Sequence, residues 1–136
     1  MTESTKKPEQ YSPLVLAYIG DVVYEIYVRT RVISEHPDLP AHRLHLHTVK
    51  YVKAHAQANS IHAILDMLTE KELGIFKRGR NAKSATVPKN ADLTEYRHAT
   101  GFEALIGYLY LKHEQKRLEE IMRLSYEHAF DGDKHK

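Results

Sequence analysis

Asp21 and Glu103 are carboxylates set in the two most apolar stretches of this sequence. The first lies within Leu16-Ala17-Tyr18-Ile19-Gly20-Asp21-Val22-Val23-Tyr24, and the second within Phe102-Glu103-Ala104-Leu105-Ile106-Gly107-Tyr108-Leu109. Removing an ionised carboxylate from water costs on the order of several kcal/mol unless a cation, a metal or strong donors compensate it. Two such acids on separate helices suggest one shared cation, and oxygen-only ligands select a hard divalent ion, Mg2+ or Mn2+. The pattern also admits a plainer reading, in which each acid lies on a solvated stripe or pairs with Arg29, Arg97 or His98. A glycine stands close to each acid, permitting close backbone approach. Glu25, one helical turn from Asp21, reads as a surface salt-bridge residue.

A second constellation is basic. Between Phe76 and Ala91 the chain carries Lys77, Arg78, Arg80, Lys83 and Lys89, and no acid. Asn81, Ser84 and Thr86 add neutral donors, so the segment suits phosphate contacts, although solvated basic loops are equally ordinary. The ten histidines concentrate in His42-Arg43-Leu44-His45-Leu46-His47. His42 and His45 would share a helix face, but His47 would not, and no acid or cysteine completes a ligand set. Tyr18, Tyr108 and Tyr110 read as packing residues.

The elements that must position these groups are helical. Ser12-Pro13 gives an N-cap and a first-turn proline, opening a helix from Leu14 to about Ile33 that is apolar on more than one side. Pro37 and Pro40 punctuate its end. A second helical stretch runs from Ala41 to Leu68, with a break expected near Asn59-Ser60. Thr69-Glu70-Lys71-Glu72 has capping-box spacing and starts a helix ending near Lys77 to Arg80, followed by a basic loop. Asp92 with Glu95 caps a helix through Tyr96 to about His113, and Gln115 to Phe130 closes an amphipathic bundle. The fold class is all-α, in a single domain spanning residues 1–136, with residues 1–11 and 131–136 expected to be flexible.

Composition narrows the function classes. The 136 residues include no cysteine, which excludes thiolate metal sites and cysteine nucleophiles and fits a reducing cytoplasm. The polar N-terminus does not read as a signal peptide, and charges interrupt every apolar run, so no membrane association is expected. A formal net charge of +2 carries little meaning beside its uneven distribution.

The segment from Leu16 to Glu25 resembles the signature helix of the ribonuclease III family, where a Gly-Asp pair follows an apolar run. Phe102-Glu103-Ala104-Leu105-Ile106-Gly107 is similar to that family's second acidic motif. The sequence ends soon afterwards, leaving no room for the double-stranded-RNA-binding domain that usually follows, as in the Mini-III ribonucleases of bacteria. The resemblance spans Pro13 to about Leu124. It implies a homodimeric ribonuclease III endonuclease bundle in which Asp21 and Glu103 bind Mg2+, with Mn2+ able to substitute, and hydrolyse double-stranded RNA. It implies RNA binding by Lys77, Arg78, Arg80, Asn81, Lys83, Ser84 and Lys89. It further implies cytoplasmic maturation of large-subunit ribosomal RNA precursor, with a ribosomal protein as a further partner. Positions that are acidic in the larger enzymes hold Leu14, Ala17 and Thr100 here. The competing reading is a non-catalytic RNA-binding or ribosome-assembly module, against which the retained acid pair argues.

Overall fold

The computed structural model describes residues 6–83 and 87–133. Its longest element, α1 (Pro13–Glu35), begins where Ser12 Oγ accepts a bond from the Val15 amide at 3.3 Å. One stripe of α1, formed by Leu16, Gly20, Tyr24, Val28 and Val32, is buried at four-residue spacing. The rest of its apolar surface remains open: Tyr18 is 80% exposed, Val22 53%, Ile26 62% and Ile33 54%. The other helices are α2 (Ala41–Val52), α3 (Ala54–Ile64), α4 (Glu70–Asn81), α5 (Leu93–Leu111) and α6 (Gln115–Glu127). No strand occurs among the described residues, so the all-helical reading holds.

The bundle is organised around α5, which packs against α1, α3, α4 and α6. Phe102, Leu105 and Ile106 are fully buried there, as are Ile61, Ile64 and Ile121 of the surrounding helices. The other two anticipated caps form as well. The Thr69 hydroxyl accepts from the Glu72 amide at 3.1 Å while the Glu72 carboxylate accepts from the Thr69 amide at 2.9 Å. Asp92 accepts from the Glu95 amide at 3.0 Å. Glu72 is also gripped by Arg117 through bonds of 2.8 and 2.7 Å, tying α4 to α6.

Three boundaries differ from the sequence reading. The break between α2 and α3 falls at Lys53, whose extended backbone (φ −67°, ψ 156°) caps the next helix, and Asn59 and Ser60 lie inside α3. No local signal marks Lys53; tertiary contacts set the break, with Tyr51 stacked on Tyr126 at 4.0 Å on one side and Ala56, Gln57 and Ser60 buried on the other. Helix α4 reaches Asn81, so Lys77, Arg78, Arg80 and Asn81 are helical and only the later basic residues lie beyond it. Helix α6 stops at Glu127, short of Phe130.

The segment up to Tyr11, expected to fray, is tied down from Lys7 onwards. Pro8–Gln10 form a 3-10 turn, and Arg78 donates to the carbonyls of Glu9 (3.1 Å) and Tyr11 (3.3 Å). At the other end Asp131–Asp133 form a 3-10 turn. There the His55 ring lies between Asp133, 2.7 Å from Nε2, and Glu95, which faces Nδ1. These bonds hold the His55 pKa above the usual histidine range, because only the imidazolium donates from both nitrogens at once. Residues 1–5 and 134–136 fall outside the described chain. No described helix is long and apolar enough to cross a membrane.

Candidate active site

Two glycines fix how closely α1 and α5 approach. A Cβ on Gly20 would sit 1.8 Å from the Glu103 carbonyl oxygen, and one on Gly107 would sit 1.9 Å from the Leu16 carbonyl oxygen. Any side chain at either position would force the helices apart. Because the backbones touch here, Asp21, next to Gly20, meets Glu103, one turn before Gly107. The two carboxyl groups lie close enough for the Asp21 charge to act on Glu103, and they line one groove with Leu14, Ala17, Tyr18, Val22, Tyr96 and Thr100. The three positions that are acidic in the larger enzymes therefore sit on the wall of this groove.

The two acids differ in depth: Asp21 is exposed, contrary to what its apolar neighbours suggest, while Glu103 is half-buried. The reason is visible on α1, where Tyr18 and Val22 themselves face solvent. The plainer pairings do not form either. Arg29 binds Glu25 at 2.6 Å, the salt bridge expected for Glu25. His98 Nδ1 faces the Thr94 carbonyl at 2.7 Å. Among the described residues no cationic side chain pairs with Asp21 or Glu103. Partial burial and the neighbouring Asp21 charge consequently push the Glu103 carboxyl up to about 8, opposed by a hydrogen bond from Gln57. Gln57 is 2% exposed and its Nε2 donates to Glu103 Oε2 at 3.4 Å. Sequence reasoning passed over this residue; its only signal was a lone amide in the alanine-rich run Ala54-His55-Ala56-Gln57-Ala58.

Residues 14–114 match the family model described as Ribonuclease III domain. Mini-ribonuclease 3 of Clostridium tetani is 55% identical over 123 residues, spanning 90% of this chain and 82% of that protein. Mini-ribonuclease 3 of Thermoanaerobacter sp. is 55% identical over 114 residues, spanning 84% of this chain and 80% of that protein. The chain belongs to the Mini-ribonuclease 3 family. A crystal structure of a protein from Fusobacterium nucleatum superposes with a TM-score of 0.78 at 29% identity, covering 88% of this chain and 95% of that one. As a member of the Mini-ribonuclease 3 family, the chain is an endoribonuclease acting on RNA.

The C-terminal end of α4, with Arg78 and Arg80 in its last turn, approaches the groove wall at Thr100. Gly79 of α4 packs on Gly101, and a Cβ there would lie 3.3 Å from the Thr100 carbonyl oxygen. The cationic end of α4 thus runs beside the turn of α5 that precedes Glu103. Lys77, Lys83 and Lys89 are exposed. Arg80 is half-buried, lies 5.7 Å from the Phe76 ring centroid and donates to exposed Asn81 at 3.1 Å. Arg78 is engaged by the Glu9 and Tyr11 carbonyls, a structural role that the sequence did not disclose. Ser84 and Thr86 lie outside the described residues.

The other candidates separate. His47 stacks on His36 at 4.1 Å, and among the described residues no group of three His, Asp or Glu converges as a metal site. Tyr108 packs at 2% exposure, but Tyr18 and Tyr110, at 80% and 45%, remain exposed.

Proposed function

We propose that this chain is a divalent-cation-dependent nuclease that cuts double-stranded RNA as a homodimer. The observation supporting it is the Asp21–Glu103 contact, two carboxyl groups in an open groove without a cationic side chain beside them. The donor set fits Mg2+, with Mn2+ able to substitute: both acids offer hard oxygens, and Mg2+ readily keeps water in its remaining positions. Asp21 and Glu103 would hold the ion. A cation held there would polarise a water for attack and stabilise the charge developing on a phosphodiester.

The chain's own residues do the rest. The Gly20–Gly107 contact sets the separation of the acids before substrate arrives, so no reorganisation is needed at the reacting phosphate. Glu103, whose carboxyl is held protonated up to about 8, would give up that proton on becoming a ligand. Lys77, Arg80, Lys83 and Lys89 offer phosphate charge and Asn81 a neutral donor, which suits a duplex read through phosphates and 2′-hydroxyls. The family resemblance, rather than any residue of the site, implies maturation of large-subunit ribosomal RNA precursor in the cytoplasm, with a ribosomal protein as a further partner.

The deciding experiment incubates purified protein with long duplex RNA, single-stranded RNA and duplex DNA, with Mg2+ or with a chelator. Cleavage confined to duplex RNA with Mg2+ is expected; equal cutting of single strands, or full activity in chelator, would refute the reading. A separate prediction concerns the basic rim. Replacing Lys77, Arg80 and Lys83 together by alanine should weaken duplex binding and flatten its salt dependence by roughly one log–log unit for each phosphate no longer neutralised. Unchanged affinity and slope in filter binding across a salt series would remove these residues from the interface.

A further inference from the structure

We propose that Gln57 is a positioning residue for Glu103, holding that carboxylate in its cation-binding orientation from beneath the groove. The inference rests on the cation reading above. Gln57 is among the few polar residues of the core, at 2% exposure, between Ala56 at 0% and Ala58 at 5%. A buried primary amide is costly unless it is bonded. Among the described residues its Nε2 has one side-chain partner, Glu103 Oε2, reached across 46 positions of chain. The amide therefore compensates its own burial through the carboxylate.

The chemistry of the donor matters as much as its place. A lysine or arginine at this position would neutralise Glu103 and compete with a divalent ion for it. An amide donates without adding charge, so it restrains the carboxylate while leaving the negative charge of the pair available. The bond engages Oε2 and leaves Glu103 a second oxygen. Helix α3, which carries Gln57, is anchored independently by the Ser60 hydroxyl donating to the Ser125 carbonyl at 2.6 Å and by Asn59 donating to the Ala129 carbonyl at 3.1 Å. The amide is thus delivered from a fixed base, as partners that orient metal ligands usually are.

The test titrates Mn2+ alone into the full chain by calorimetry, comparing wild type, Gln57→Leu, Gln57→Met and Glu103→Gln. Loss of a hydrogen-bond partner of a metal ligand typically weakens affinity 10–100-fold, so both Gln57 variants should bind Mn2+ about tenfold more weakly. Their kcat should fall at subsaturating Mn2+ and recover at saturation, with KM for duplex RNA unchanged, a split that mere loss of packing would not produce. Methionine, flexible and of similar length, guards against a leucine variant that fails to fold. In the wild-type protein, the Gln57 side-chain amide resonance should shift during a Mg2+ titration with the midpoint of ion binding. Wild-type affinity in the variants, or an amide resonance that stays still, overturns the proposal. Mn2+ binding by wild type that Glu103→Gln abolishes would leave the cation reading standing in that event, whereas no binding by wild type would overturn both.

Discussion

Glu103→Gln is expected to abolish RNA cleavage while making the metal-free protein more stable above pH 8. Both effects have one origin. The carboxyl of Glu103 is pushed up to about 8 by partial burial and by the charge of Asp21, whereas in the unfolded chain it titrates near the ordinary glutamate value. Below that ordinary value the group is protonated in both states and contributes nothing to their difference. Between the two values the unfolded chain has released a proton that the folded chain retains, so folding stability falls as pH rises and levels off above about 8. A neutral glutamine removes this penalty. Its melting temperature without metal should therefore exceed that of wild type by several degrees at pH 8.5 and match it near pH 4. Mg2+ should raise the melting temperature of wild type by mass action and leave the variant unmoved.

The same proton governs metal affinity. Ligands must be deprotonated, so the apparent Mg2+ affinity of wild type should climb with pH until about 8 and then flatten, with proton release on binding below that point. Cleavage by Glu103→Gln, or by Asp21→Asn, should drop by more than about 100-fold, because losing a ligand costs more than losing one of its hydrogen-bond partners. Near wild-type cutting by either variant with Mg2+ present would show that the pair does not carry the reaction. Equal melting of wild type and Glu103→Gln at pH 8.5 would show instead that burial and the Asp21 charge do not raise the Glu103 pKa in the folded chain.

What could be read in advance followed the range of each interaction. The Ser12, Thr69–Glu72 and Asp92–Glu95 caps were legible because each is a bond between residues three apart. The acids were legible because apolar surroundings make a carboxylate conspicuous, and the glycines beside them because a close helix crossing requires a residue without a side chain. Arg78 and Gln57 were not. Their partners lie 67, 69 and 46 positions away, and neither residue breaks a local pattern. The break at Lys53 was illegible for a related reason: no proline or glycine marks it, and distant packing overrode helix propensity. Within the acid pair only the depth of Asp21 was not legible, because the apolar face of α1 around it is uncovered.

That uncovered surface leads to the second large effect, an Ile26→Glu variant that becomes monomeric and loses double-strand cutting. Val15, Tyr18, Val22, Ile26 and Ile33 form an exposed apolar band along α1, continuous with a groove between α1 and α6 that Ile19, Val23, Tyr110, Leu118 and Met122 also line. Contiguous apolar bands of this kind mark association surfaces in soluble proteins. Two members of the band, Tyr18 and Val22, also line the Asp21–Glu103 groove. A symmetric pairing through it would bring two acid pairs to one valley, and a duplex has two strands to cut. Ile26 is 62% exposed in the single chain and lies outside the acidic groove, so a charge there should leave the helices and the acid pair intact while opposing association. Wild type should sediment at twice the 15.7 kDa chain mass at micromolar concentration, and Ile26→Glu at the chain mass with unchanged circular dichroism. The variant should at most nick one strand of a duplex. A wild-type monomer that cleaves both strands would sink the dimer, and an Ile26→Glu protein that remains dimeric would place its interface on another face.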